Sequence, residues 1–189
     1  MSAPGRTGPG PEGPRLRLRP PRDDEIPLLY GWYNDPELVA PFDRFALDTP
    51  EGFEEALRSA EGDEASLAPR RVIATREADR AIGFVGHYVS HPVLASLEVW
   101  YVLGASSERG KGYGTEAVRL LVDDLFHRRV IQRVGATCDV ANLPSVRLLE
   151  HLGFRLEGTL QQVLFHHAAW HDVRVYGITR SEWRGPPGG

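Results

Sequence analysis

The sequence EVWYVLGASSERGKGYGT, residues Glu98–Thr115, joins a strand-like segment to a helical one through a loop rich in glycine. The helical pattern shows in apolar residues spaced three and four apart, namely Val118, Leu121, Val122 and Leu125. A turn of this kind directs unpaired backbone N–H groups and the positive end of the helix dipole at one point. The stretch therefore predicts a phosphate site, to which Arg109 and Lys111 add positive charge.

Three kinds of phosphate-binding loop can be compared with this stretch. A Walker loop requires Ser or Thr after Gly-Lys, but Lys111 is followed by Gly112. A Rossmann fingerprint requires a glycine where Thr115 stands. The third pattern, Arg/Gln-x-x-Gly-x-Gly/Ala, is matched by Arg109, Gly112 and Gly114. It resembles the pyrophosphate loop of the GCN5-related N-acetyltransferases (GNAT), which bind acetyl-CoA. A glycine-rich turn that binds no ligand is the alternative interpretation.

Composition limits the class of protein. The 189 residues are 41% hydrophobic and 25% charged, as in one globular domain. A net charge of −4 argues against a nucleic-acid partner that depends on bulk charge. Cys138 is the only cysteine, so we expect no disulfide framework. The sequence has no signal-like or membrane-spanning apolar run, and we predict a cytoplasmic protein with no membrane partner.

The periodicity predicts the order βαα-βββ-α-β-α-ββ, which indicates an α/β (α+β) fold with a mixed sheet and helices on both faces. Residues 1–14 are predicted as a disordered tail, 15–183 as the folded domain and 184–189 as a flexible tail. The last two strands are predicted at 154–165 and 173–179, with a loop over 166–172 between them.

A second segment makes the family resemblance more specific. Residues 142–154, NLPSVRLLEHLGF, resemble the Asn-x-x-Ser…Leu-Gly-Phe signature of the same superfamily, in particular of the RimJ/RimL-like ribosomal-protein alanine acetyltransferases. Glu157-Gly158 and the ending from Asp172 to Trp183 are similar to that branch as well. The resemblance implies a single-domain GNAT fold with a mixed seven-stranded sheet whose fourth and fifth strands separate.

The resemblance also implies where the cosubstrate acetyl-CoA would bind. Its pantetheine arm would lie between the separated strands, hydrogen bonded to the main chain of Tyr101, Val102 and Leu103. Asn142 would lie near pantetheine, and the Ser145 hydroxyl near the sulfur. The pyrophosphate would lie on the loop and helix start formed by Arg109, Gly110, Lys111, Gly112, Tyr113, Gly114 and Thr115.

The implied reaction is attack of a primary amine on the thioester. Glu98 is the candidate base, because a Glu in an apolar strand is costly unless it is paired or faces a cleft, and the histone-type branch places a catalytic Glu on this strand. Pairing with an arginine, exposure to solvent, or a water as the base are the alternatives. Ser145 is the candidate proton donor to the leaving thiolate, with Tyr176 as the alternative.

The acceptor and the partners are less defined by the sequence. A protein N-terminal α-amine and a small cationic amine both fit, and acidic residues around the second helix favour a cation. A homodimer is compatible with the sequence, and a non-catalytic acyl-CoA-binding or sensing module is the alternative function. We expect no metal site, because His166, His167 and His171 fall in a predicted loop with few carboxylates nearby. The acidic residues are Glu54, Glu55, Glu61, Asp63 and Glu64.

Overall fold

The computed structural model describes residues 10–39, 49–59, 71–89 and 95–185, and these form one mixed sheet with helices on both of its faces. The strand order is β1-β2-β3-β4-β5-β7-β6. The strands are β1 (Leu16–Arg19), β2 (Arg71–Thr75), β3 (Ala81–Tyr88), β4 (Ser96–Val102), β5 (Arg133–Asp139), β6 (Arg155–His166) and β7 (Ala169–Thr179). The helices are α1 (Ile26–Tyr33), α2 (Pro36–Val39), α3 (Pro50–Ser59), α4 (Tyr113–Arg128) and α5 (Leu143–His151).

The predicted fold class is confirmed, including the separation of the fourth and fifth strands. β4 and β5 run parallel and pair only from Ser96–Arg133 to Glu98–Gly135. Beyond that pair, β4 continues to Val102 and β5 continues to Asp139 without pairing to each other. The sheet therefore opens along one side of each strand, while β3 and β7 hold the other sides.

Two apolar cores fix the sheet between its helices. On one face, α4 and α5 bury residues such as Val118, Leu121 and Leu149 against the sheet. On the other face, α1 and α3 bury a second core that contains Leu29, Tyr33, Phe53, Leu57 and Phe84. The side chains of β4 alternate between these two cores: Leu97 and Val99 belong to the first core, and Val102 belongs to the second.

The far end of α4 is held by an arginine that follows β7. Arg180 donates from Nε to the Ile131 carbonyl at 2.9 Å and from Nη2 to the Arg129 carbonyl at 2.6 Å, and it also contacts the Phe126 carbonyl. The last carbonyls of a helix have no intrahelical partner, so a guanidinium there satisfies them and complements the helix dipole. This contact fixes the end of α4, and the segment that leads into β5, to the end of β7.

The prediction of a loop over residues 166–172 is wrong, because most of this segment belongs to β6 and β7. Only His167 and Ala168 connect β6 to β7, and both have positive φ angles, of 48° and 59°. Two consecutive residues with positive φ form a hairpin turn whose twist matches that of the flanking strands. Asn-Gly is the usual sequence of such a turn, so His-Ala did not predict one. β6 forms the edge of the sheet and contains register shifts between Leu156 and Gly158 and between Leu160 and Leu164.

The ends of the chain are described only in part. Residues 1–9 of the predicted N-terminal tail and 186–189 of the C-terminal tail lie outside the described ranges, whereas residues 10–14 lie beside β1. Leu18 donates its N–H to the Pro11 carbonyl at 2.9 Å, and Gly13 donates to the Leu16 carbonyl at 2.8 Å. None of the helices in the described ranges has both the length and the apolar composition that crossing a bilayer requires.

Candidate active site

The glycine-rich loop ends directly at the start of α4. Gly110 and Gly112 have φ angles of 76° and 80°, a region that favours glycine, and Gly112 is the residue that precedes the helix. A glycine has no side chain with which to cap the helix, and no side-chain cap is present. The first helical N–H groups can therefore bind an anion. They belong to the predicted residues Tyr113, Gly114 and Thr115.

Arg15 lies beside this loop, although the sequence analysis did not identify it as a site residue. Its guanidinium is 4.8 Å from the centre of the Tyr113 ring, and its Nη1 donates to the Lys111 carbonyl at 2.8 Å. Its Nε donates to Glu116 Oε2 at 2.7 Å. Arg15 is 97 positions before Gly112 in the chain, so only the packing of β1 against α4 brings its charge to the loop.

Lys111 and Arg109 do not extend freely from the loop. Lys111 Nζ is 2.9 Å from Glu108 Oε2, and Arg80 contacts the other oxygen of the same carboxylate at 2.6 Å. The hydrogen bonds from Lys111 and Arg80 hold the pKa of Glu108 below its ordinary value. Arg109 Nε donates to the Leu103 carbonyl at 3.2 Å, which ties the loop to the end of β4. Glu108 therefore already balances part of the positive charge that Lys111 brings to the loop.

The gap between β4 and β5 brings predicted cofactor residues together. Tyr101 and Val102 lie beyond the last β4–β5 pair, so their backbone has a strand partner only on β3. Burial raises the pKa of the Tyr101 phenol, and the neighbouring Ser145 hydroxyl offsets part of that rise. Asn142 Oδ1 accepts the Ser145 N–H at 3.2 Å and so caps α5. The cap leaves the Asn142 amide group able to donate to a ligand.

Glu98 lies on the opposite face of the sheet from α4 and pairs with an arginine. Its Oε1 is 3.2 Å from Arg133 Nη1, and the Nη2 of the same guanidinium is 2.5 Å from Glu157 Oε2. The two carboxylates lie over Gly135 and Gly177, where a Cβ atom would overlap them. The alternative of pairing with an arginine is therefore present, and Glu98 also lies where the strands begin to separate, while its role as the base stays a prediction.

Half of the Glu98 carboxylate remains unpaired. Its Oε2 atom is buried and has no hydrogen-bond partner among the described residues. Burial raises the pKa of Glu98 above its ordinary value, and the hydrogen bond from Arg133 offsets part of that rise. A carboxylate with a raised pKa and one unpaired oxygen is a stronger base than an ordinary glutamate carboxylate.

Tyr176, the alternative proton donor, is fully buried on β7. Its hydroxyl donates to Glu150 Oε1 on α5 at 3.1 Å. Burial and the Glu150 carboxylate raise the pKa of the Tyr176 phenol. Its proton is therefore already engaged with the Glu150 carboxylate, whereas the Ser145 hydroxyl lies beside the Tyr101 phenol.

A carboxylate joins the histidines that the sequence placed in a loop. Asp139 Oδ2, at the end of β5, is 2.6 Å from His166 Nε2 and 3.2 Å from His171 Nδ1. The two imidazole rings are stacked, with centroids 3.7 Å apart. The argument that few carboxylates lie near these histidines is wrong, because the sheet brings Asp139 to His166 from 27 positions away and to His171 as well.

The described geometry is that of an α/β protein with a mixed sheet, in which two parallel strands separate beside a helix start that has no side-chain cap. Residues 15–155 match the family model for the "Acetyltransferase (GNAT) domain". The chain belongs to the GNAT acetyltransferase family, as the sequence predicted. This membership supports the expectation of an acetyl-CoA-dependent acyltransferase, whereas the RimJ/RimL-like branch stays a prediction.

Similar proteins carry N-acetyltransferase names. The N-acetyltransferase p20 of Bacillus licheniformis is 29% identical over 178 residues, which cover 90% of this chain and 96% of that protein. YokL, an SPbeta prophage-derived N-acetyltransferase of Bacillus subtilis, is 34% identical over 112 residues, or 59% of this chain and only 56% of YokL.

Solved structures show the same fold at low sequence identity. Spermidine N-acetyltransferase from Vibrio cholerae, in complex with CoA and spermine, has a TM-score of 0.78 and 20% identity, with 88% of this chain and 96% of that chain covered. Ribosomal-protein-S5-alanine acetyltransferase from Vibrio fischeri has a TM-score of 0.73 and 22% identity, with 92% and 97% covered.

A substitution at Gly112 tests the loop. Gly112→Val forces a β-branched residue into a positive φ angle, which shifts the N–H groups at the start of α4. We expect acetyl-CoA affinity to fall by more than about tenfold, or ~1.4 kcal/mol, in calorimetric titration. Gly158→Val is the control, because a Cβ there meets no atom within 4 Å. Unchanged affinity of a folded Gly112→Val protein would contradict the assignment of the loop.

Proposed function

We propose that this chain transfers the acetyl group of acetyl-CoA to a primary amine by direct attack of the amine on the thioester. The observation that carries the proposal is the gap between β4 and β5, which opens after the Glu98–Gly135 pair and leads to the uncapped start of α4. A pantetheine arm in this gap acts as a substitute strand, hydrogen bonded to the main chain of Tyr101, Val102 and Leu103. The Leu103 carbonyl already accepts from Arg109, so Leu103 contributes its N–H.

The rest of the cofactor follows from this placement. The pyrophosphate lies on the backbone of Arg109–Thr115, where the first N–H groups of α4 are uncapped. Arg15 and Lys111 both lie beside these groups, and each of the two cations is also paired with a carboxylate, of Glu116 and of Glu108 respectively. Asn142 donates from its amide group to pantetheine while its Oδ1 keeps the α5 cap.

Glu98 is the proposed base. As the amine nitrogen bonds to the carbonyl carbon and the C–S bond breaks, Glu98 takes the amine proton directly or through a water. The unpaired Oε2 atom and the pKa raised by burial support this role. An α-amine, with a reference pKa of about 7.7–8.0, already has a usable neutral fraction at pH 7, whereas a lysine side chain near 10.4 needs more help.

The pH dependence of Glu98→Gln tests the base. We expect kcat/KM to fall by roughly 10²–10⁴-fold at high pH. The ratio of the wild-type value to the variant value should shrink as the pH falls through the raised pKa of Glu98, because the protonated carboxyl can no longer accept a proton. Protonation of the amine acts equally on both proteins and cancels in this ratio.

Glu157→Gln is the matched control, because Glu157 contacts the same Arg133 guanidinium but is more exposed. We expect Glu157→Gln to keep most of the activity and to move the pH profile only toward lower pH, because loss of the Glu157 charge lowers the pKa of Glu98. A ratio for Glu98→Gln that is constant with pH would remove Glu98 as the base and leave water in that role.

Ser145 is the proposed proton donor to the CoA thiolate, and it regains a proton from water. Ser145→Ala keeps the backbone N–H that binds Asn142, so the α5 cap and acetyl-CoA affinity should be retained. We expect kcat to fall by roughly 10²-fold. Tyr176→Phe should leave kcat near the wild-type value, because the Tyr176 hydroxyl donates to Glu150. The reverse result in single-turnover measurements would assign the donor role to Tyr176.

We propose that the acceptor is a primary amine of cationic character, either a protein N-terminal α-amine or a small molecule. Proteins similar to this chain are named for such acceptors: the spermidine and S5-alanine enzymes, and an aminoglycoside N(6')-acetyltransferase of Klebsiella pneumoniae that is 26% identical over 77% of this chain and 76% of its own length. Asp23, Tyr30 and Glu54 line a groove between α1 and α3 that could form the acceptor wall.

The charge of that groove is already partly balanced. Arg58 lies 3.5 Å from Asp23 and 2.5 Å from Glu54, so a cationic acceptor would compete with it. Glu61, Asp63 and Glu64, which also motivated the prediction of a cationic acceptor, lie outside the described residues. The homodimer and the cytoplasmic location stay predictions.

Release of CoA thiol tests the function itself. We expect the protein to release CoA thiol from acetyl-CoA only when an accepted amine is present, and mass spectrometry to find that amine heavier by one acetyl group. The panel contains polyamines, aminoglycosides and peptides with a free α-amine. Saturable acetyl-CoA binding without acetylation of any of these would favour the non-catalytic acyl-CoA-binding module.

A further inference from the structure

We propose that Asp139, His166 and His171 form a binding site for one divalent transition-metal ion of the zinc class. Each residue offers one ligand atom, and the three atoms lie within 4.8 Å of one another. Two imidazoles and one carboxylate are a ligand set that zinc and its neighbours bind. These three residues are separate from the Glu98 and Ser145 chemistry.

The backbone fixes the direction of each ligand. Asp139 Oδ1 accepts the Ala141 N–H at 2.6 Å, which turns Oδ2 toward both histidines. Leu164 pairs with His171 across the β6–β7 ladder, and His166 pairs with Ala169. Residues two apart on a strand share a face, so both imidazoles lie on one face of the hairpin. The turn between the two strands contains only His167 and Ala168, so His166 and His171 are five positions apart in the chain.

Burial and contacts support ligands rather than solvated side chains. The Asp139 side chain is only 2% exposed and that of His166 is 10% exposed. The other ring nitrogen of His166, Nδ1, is 2.8 Å from His167 Nδ1, a contact that restricts the orientation of the His166 ring.

The distances require only small adjustments to admit an ion. Bonds of about 2.0–2.1 Å in tetrahedral geometry separate neighbouring ligand atoms by about 3.3 Å. The Asp139–His171 separation is already 3.2 Å, while the Asp139–His166 separation of 2.6 Å must widen. Side-chain rotation supplies this change, and water completes the coordination. His171 is 25% exposed, which gives the ion a path from solvent.

Such an ion would connect three strands at the open end of the sheet. Asp139 is the last residue of β5, and His166 and His171 belong to β6 and β7. By strand alternation Asp139 is on the same face as Gly135, about 13 Å farther along β5 at ~3.3 Å per residue. The ion therefore fastens the end of the β6–β7 hairpin to the strand that borders the gap.

Cobalt and zinc titrations test the site on the full chain without a histidine tag, after dialysis against a chelator. We expect wild-type protein to bind one Co²⁺ with the visible absorption of a tetrahedral site, and Zn²⁺ to displace it. His171→Gln and Asp139→Asn should each weaken binding by roughly tenfold or more. His151→Gln is the control, because it removes an exposed histidine of α5 outside the cluster and should leave binding unchanged.

Two results would overturn the proposal. One is the absence of a saturable Co²⁺ spectrum in wild-type protein, which would leave a hydrogen-bonded Asp–His cluster. The other is equal affinity in wild type and His171→Gln, which would indicate adventitious binding by surface histidines. Far-ultraviolet circular dichroism checks the folding of each variant. If Asp139→Asn does not fold, the Co²⁺ affinity of His171→Gln alone tests the proposal. Neither readout depends on acetyl transfer, so failure here leaves the proposed function standing.

Discussion

The structure depends on a strand pair that stops forming hydrogen bonds after three positions. Backbone N–H and C=O groups are costly to leave without partners, so a gap inside a sheet requires either water or a ligand that supplies them. Beyond Glu98 and Gly135, β4 and β5 each keep one neighbouring strand, and α4 and α5 cover the core side of the opening. The same divergence leads to the start of α4, where an anion can bind.

The elements of this chain could be predicted largely from local patterns. Alternating apolar residues identified the strands, and the glycines before α4 identified an uncapped helix start, because both signals lie within a few residues. The hairpin turn at His167 and Ala168 could not be predicted, since neither residue is favoured at positive φ and only the paired strands impose it. The longer β6 and β7 follow from that pairing.

The charged partners of the site could not be predicted, because they are contacts between distant parts of the chain. Arg133 is 35 positions from Glu98, and Glu108 holds Lys111 together with Arg80, which is 28 positions away. Periodicity gives the face on which a side chain lies but not the register of the neighbouring strand. Arg15 and Asp139 reach their positions through the same kind of long-range packing, so residue type alone gave no signal for either.

Gly135 on β5 and Gly177 on β7 leave space on one face of the sheet, because neither has a side chain. The Glu98 and Glu157 carboxylates occupy this space and contact Arg133. Neither glycine is among the residues with a positive φ, so each is required for the volume it leaves rather than for backbone freedom. A larger residue at position 135 would displace the Glu98 carboxylate, and one at position 177 would displace that of Glu157. Either change would weaken the ion pair with Arg133. Among related sequences, the size of residues 135 and 177 should therefore covary with the acidic character of residues 98 and 157.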